Sequence, residues 1–146
     1  VGEISNRKQR AMRYGLRALY EGIKVVKAGI QIGEIAEAIE RLTLKNGYQV
    51  IREFGGHHIG REMHEKPHIP HHIDYTSPLY RQRLEAGAVI CLEPMITPGT
   101  GKFGGMMTDG WTAVTADRQP VAMFEHQILV TALGYEVLTK HIEEEI

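Results

Sequence analysis

Ala88-Val89-Ile90-Cys91-Leu92-Glu93-Pro94-Met95-Ile96 is an apolar run interrupted by one carboxylate. Its length and branched residues read as a buried strand. A carboxylate in such a strand is costly unless it is paired or bound to a metal. Alternation places Val89, Cys91 and Glu93 on one face, so the Glu93 carboxylate points into a layer. The pattern recurs in Val121-Ala122-Met123-Phe124-Glu125-His126-Gln127-Ile128-Leu129-Val130, again with one glutamate inside an apolar stretch.

Working outward, strands are expected at 88–96, 111–115, 122–131 and 135–138. Turn signals separate them: Pro98-Gly99-Thr100-Gly101, Gly104-Gly105, Asp117-Arg118 and Leu133-Gly134. Upstream of Gly87 the period changes. Met12, Leu16, Leu19, Tyr20, Ile23 and Val26 recur at spacings of three and four, which predicts an amphipathic helix over 5–27 capped by Ser5 or Asn6. A second helix is expected at 33–46, with Ile32, Ile35, Ile39 and Leu42 on one face and Asn46-Gly47 as its stop. A strand at 48–53 follows, then a long loop carrying Pro67, Pro70 and Pro78. Helices first and strands afterwards predict an α+β domain, two helices packed on an antiparallel sheet.

The chain of 146 residues suffices for one core. It reads as a domain over 1–140 and an acidic tail over 141–146, expected to be frayed. Seventeen basic and eighteen acidic residues give a net charge of −1 without large blocks, which argues against a nucleic-acid partner. No apolar stretch approaches a membrane span, so no membrane partner is expected. The single cysteine, Cys91, favours a reducing cytoplasmic setting and reads as a small buried hydrophobe. The chain opens on Val1 and turns helical almost at once, the pattern expected of a processed chain or part of a longer one.

Six of the eight histidines lie between His57 and His72, in Gly56-His57-His58-Ile59-Gly60-Arg61-Glu62-Met63-His64-Glu65-Lys66-Pro67-His68-Ile69-Pro70-His71-His72. Such a tract is either a solvated loop or a place of metal or proton chemistry. Glu93 and Glu125 favour the second reading. His57, Glu93 and Glu125 together form a mixed nitrogen and oxygen set suited to catalytic Zn, Mn, Fe or Co. Carboxylates in such a set can bridge two ions. Gly55-Gly56 permits a close backbone approach just before His57. His64 is a candidate for bonding a substrate carbonyl or assisting proton transfer. Trp111, the only tryptophan, reads first as a core anchor and otherwise as a pocket wall.

These segments resemble the type I methionine aminopeptidases: Gly56-His57-His58-Ile59-Gly60-Arg61, Met63-His64-Glu65-Lys66-Pro67, Leu92-Glu93-Pro94-Met95, Thr108-Asp109-Gly110-Trp111-Thr112 and Phe124-Glu125-His126. The resemblance, which extends to Val26-Lys27-Ala28-Gly29-Ile30, covers essentially the whole chain. It implies the C-terminal half of a pita-bread fold and a metal-dependent hydrolase that removes the initiator methionine from nascent polypeptides. It also implies metal ligation by His57, Glu93 and Glu125, with Glu93 doubling as general base. His64 would contact the substrate amide and Trp111 would border the methionine pocket. Divalent ions (Co, Mn, Fe or Zn, two in the complete family site) are the implied cofactors. The N-terminal methionine of nascent peptides and the ribosome are the implied partners.

The chain departs from that family in two places. The family's site also needs two aspartates from its N-terminal half, and Asp74, Asp109 and Asp117, the only aspartates here, do not match them. The family's usual Gly-His-Gly-Ile-Gly reads Gly56-His57-His58-Ile59-Gly60, where an imidazole at 58 crowds the site, adds a ligand or points away. Three ligands of five imply weak metal affinity, inactivity of these residues alone, and apolar surface needing a missing N-terminal lobe or self-association. A non-catalytic pita-bread module that binds a polypeptide or protein partner is the alternative reading. Proline dipeptidases, which share the His and Glu ligands, are a third.

Overall fold

The computed structural model describes residues 2–140, so the tail at 141–146 lies outside the described residues. Helix α1 spans Asn6–Lys24, and the Ser5 hydroxyl accepts from the Lys8 amide to cap its first turn. Helix α2 spans Ile32–Lys45, opened by a reciprocal Gln31/Glu34 capping box and followed by Gly47 at φ 78°. Among the described residues, no helix is long and apolar enough to cross a membrane.

The buried face of α1 differs from the expected one. It carries Ala11, Gly15, Ala18, Leu19, Gly22 and Ile23, while Met12 is exposed. Close packing explains the difference. A Cβ on Gly22 would sit 2.8 Å from the Ile39 side chain of α2. Gly22 therefore lets the two helices approach, with Leu19 and Ile23 completing a core built on Ile32, Ile35, Ile39, Ile90, Leu92, Ile96 and Ile128.

Among the described residues ten short strands follow: β1 Gln49–Val50, β2 Gly55–His58, β3 Glu65–Pro70, β4 Val89–Leu92, β5 Met95–Thr97, β6 Phe103–Met106, β7 Ala113–Thr115, β8 Ala122–Met123, β9 His126–Val130 and β10 Tyr135–Val137. They form three sheets rather than the single sheet expected. One has five strands in the order β10-β9-β4-β2-β3, one has three in the order β1-β5-β8, and β6 and β7 make a ribbon. All pairings are antiparallel.

Both long apolar runs break at their glutamates. The run 88–96 divides into β4 and β5, and 122–131 into β8 and β9. Strand β4 pairs with β9 up to Leu92↔His126, and β5 pairs with β8 from Met95↔Met123. The two chain segments thus pass from one sheet to the next as a pair, and Glu93 and Glu125 sit at the crossing. Pro94, which has no N–H for the ladder, marks the bend.

The expected strand at 48–53 is only β1, because the chain turns away at Arg52 and Glu53. The proline-containing segment read as loop contains β3. Two prolines are tolerated there because β3 is an outer strand, where a missing N–H leaves no ladder bond unmade. The segment after it is pinned by the buried Glu40 of α2, whose carboxylate accepts from the Ile73 amide at 2.6 Å and from Arg52 at 3.1 Å.

His71 lies in this segment, 1% exposed, and its Nε2 has no hydrogen-bond partner among the described residues. Burial, helped by His72 and His57, lowers its pKa to about 3. The unfolded ring binds a proton below about pH 6.5, so unfolding takes up a proton between about 6.5 and about 3, and stability rises with pH across that window. Between pH 7 and pH 5 the wild-type protein should lose about 2 kcal/mol more than a His71→Leu variant, measured by urea denaturation at both pH values. Equal losses would remove His71 as the cause.

Candidate metal centre

The centre of the five-stranded sheet lays three residues in a row. His57 of β2 faces Cys91 of β4, and Cys91 faces Gln127 of β9. Glu93, just past β4, and Glu125, just before β9, flank this row at the crossing between sheets. A cavity of about 360 Å³ opens over it, lined by His57, His64, Cys91, Glu93, Glu125, Gln127 and the segment 59–63.

The approach is close because Gly56 has no side chain. A Cβ there would lie 2.1 Å from the Cys91 carbonyl oxygen, so β2 seats His57 against β4 only with glycine at 56. His57 is buried, and its Nδ1 donates to the His58 carbonyl at 2.9 Å. A carbonyl only accepts, so the proton sits on Nδ1, and in the neutral ring Nε2 keeps a lone pair. That Nε2 lies 3.4 Å from Glu93 Oε1, longer than a good hydrogen bond. Two donors on a tetrahedral ion with bonds of ~2.1 Å stand roughly 3.4 Å apart, so the pair fits a shared divalent cation.

The carboxylates agree with that fit. Burial, followed by the neighbouring Glu125, pushes the Glu93 carboxyl up, and His57 only partly opposes them. Burial and the hydrogen bond to Glu125 push the Cys91 thiol up to about 12. Negative charge crowded in a half-buried recess is what a cation would relieve.

The structure brings together His57, His64, Glu93 and Glu125. The rings of His57 and His64 lie 4.4 Å apart between centroids. Trp111 stands apart. It is 86% exposed on the turn between β6 and β7, so the core-anchor expectation fails. The turn is made by Asp109, whose carboxylate accepts from the Trp111 and Thr112 amides, and this local bonding leaves the indole outside the core. His58 turns to β3, with Nδ1 donating to the Pro67 carbonyl at 2.9 Å, and does not line the cavity. The histidine tract is therefore not one site, since His68 and His72 line a separate depression beside Pro70 and Leu79.

Sequence reasoning treated Cys91 as core filling, yet its sulfur lies in the site. One ligand atom each from His57, Cys91 and Glu125 all fall within 4.8 Å of one another. The signal was the alternation that puts Cys91 on the face of Glu93. None of the three aspartates joins the cavity. Asp74 bonds Thr76, Asp109 bonds Thr112, and Asp117 bonds the Thr100 amide, each closing a turn.

Residues 1–132 match the model of metallopeptidase family M24. Methionine aminopeptidase 1 of Bacillus subtilis is 35% identical over 140 residues, covering 96% of this chain and 55% of that protein. The methionine aminopeptidase structure from Rickettsia prowazekii superposes with a TM-score of 0.89 at 35% identity, covering 96% of this chain and 55% of the other. Prolidase from Pyrococcus furiosus, at 22% identity and a TM-score of 0.72 over 97% of this chain and 35% of its own, shares the fold. The chain spans about half the length of the curated relatives it matches.

Replacing Gly56 by alanine should force β2 off β4, because its contact is backbone and cannot rotate away. We expect a loss of about 3 kcal/mol or more, or no folded protein, by urea denaturation. A variant within about 0.5 kcal/mol of wild type would show that the close approach does not hold β2 in place.

Proposed function

The chain belongs to metallopeptidase family M24, and from that premise we propose that it forms the metal-holding C-terminal portion of an enzyme that removes N-terminal methionine from polypeptides. The convergence of His57, Glu93 and Glu125 on one cavity, in motifs like those of the methionine aminopeptidases, carries this reading. His57, Glu93 and Glu125 are the residues that would hold the metal. A bound divalent ion (Co, Mn, Fe or Zn, two in the complete site) supplies a lowered water pKa and polarises a carbonyl.

Each residue then has a distinct task. Glu93, its carboxyl raised by burial and Glu125, takes up the proton that an attacking water gives away. His64, exposed at the cavity mouth with its ring tilted against that of His57, bonds the substrate amide. Trp111, exposed and outside this cavity, is assigned to the border of the methionine pocket by the resemblance alone. The substrate is the N-terminal methionine of a nascent chain, the ribosome is a partner, and the cytoplasm is the setting. With Asp74, Asp109 and Asp117, the chain's three aspartates, committed to turns, the two aspartate ligands of the family site are not supplied here. These 146 residues are inactive until an N-terminal lobe or a second copy completes the site.

A chimera joining these residues to the part of the Bacillus subtilis relative they do not cover tests the reading. With Mn or Co it should release methionine from a Met-Ala-Ser peptide, while the isolated chain should not. Glu93→Gln in the chimera should lower kcat by about 10²- to 10⁴-fold, with metal content measured alongside. Cleavage of an Xaa-Pro dipeptide in place of Met-Ala-Ser would assign the chain to proline-directed hydrolysis instead.

A further inference from the structure

Cys91 is a buried metal-binding side chain in the cavity that the proposed reaction leaves without a task. It is 1% exposed, stands beside His57 across β2 and β4, and hydrogen-bonds Glu125. No internal disulfide is open to it, because the chain has a single cysteine. As a packing residue it would sit among apolar neighbours. Instead it faces His57 and Gln127 across the sheet, with the Glu93 and Glu125 carboxylates lining the same cavity.

We propose that Cys91 ligates metal as a thiolate, so that His57, Cys91 and Glu125 make a three-donor seat for one zinc- or cobalt-type ion. The proposal rests on reading this cavity as a metal centre and adds a donor that the resemblance did not supply. Three ligand atoms within 4.8 Å of one another already surround a common point, and Glu125, the exposed member, has the freedom to close on it. On binding, the thiol releases its proton to water, and sulfur donates an electron pair to the ion. Nothing is oxidised or reduced. Three such donors leave a fourth position on a tetrahedral ion, which the Glu93 carboxylate, 3.4 Å from His57 Nε2, can fill. A thiolate among them shifts preference toward zinc and away from manganese, which all-oxygen sites favour.

Anaerobic titration of the full chain with cobalt(II) decides the matter. With one cysteine in the chain, an intense near-ultraviolet thiolate-to-cobalt charge-transfer band can come only from Cys91. The expected result is that band, saturating at a single equivalent together with visible d–d bands. Cys91→Ser should lose the charge-transfer band, keep the d–d bands, and bind cobalt about tenfold or more weakly. Visible d–d bands without the charge-transfer band in the wild-type chain would overturn the thiolate and leave a centre of nitrogen and oxygen donors. No cobalt spectrum and no retained cobalt would overturn the centre as well. The wild-type spectrum decides even where the variant does not fold.

Discussion

Two antiparallel chain segments leave one sheet together and enter the next, and everything at the centre of this molecule depends on that shared crossing. A β-ladder leaves a residue at its end free of the strict alternation that fixes the others. Glu93 and Glu125 occupy such places, just past the last residue of β4 and just before the first of β9. Strands packed on one face by helices bury hydrophobic side chains, and an acid inside either strand would meet Ile90, Leu92 or Ile128. Setting both acids at the crossing keeps the core apolar and still holds two carboxylates within reach of His57. The cost of carrying acid groups so near the core is met locally by the recess that opens there.

The helices matter to this arrangement through their small residues. Gly22 lets α1 come close to α2, and a Cβ on Gly15 would lie only 3.2 Å from Ala122 of β8. Strand β8 is the partner that follows β5 through the crossing. The spacing of α1 from the three-stranded sheet is thus coupled to where Glu125 stands. Larger side chains at these positions would act on the site from a distance, through packing that transmits displacement rather than absorbing it.

Much of this was legible in the residues. Apolar periodicity located both helices, and the two apolar runs with their acids identified Glu93 and Glu125 as unusual before any geometry was known. Both runs were nevertheless read as single strands. Pro94 carried the signal for the break, but which sheet each half would join is a tertiary matter. The prolines of β3 misled for a related reason. They forbid a central strand and permit an outer one, and position within a sheet is not written in local sequence. Cys91 shows the limit most clearly. A cysteine between Ile90 and Leu92 looks like any core residue until β2 is laid beside it in register. The six clustered histidines invited one common explanation. Folding into a hairpin sent them to different faces, with His57 and His64 at the cavity and His58 bonded to β3.

The outer position of β3 has a consequence for how this molecule meets others. Unpaired backbone along a sheet edge is a template on which a neighbouring chain can add a strand, and runaway addition leads to fibrils. Strand β3 is six residues long, and Pro67 and Pro70 leave gaps in the row of donors it would offer. A bulge between His57 and His58 distorts the adjoining ladder further. That flank of the sheet is guarded against strand-by-strand recruitment. A companion chain must therefore meet the molecule through side chains rather than by extending its hydrogen-bonded ladder past β3.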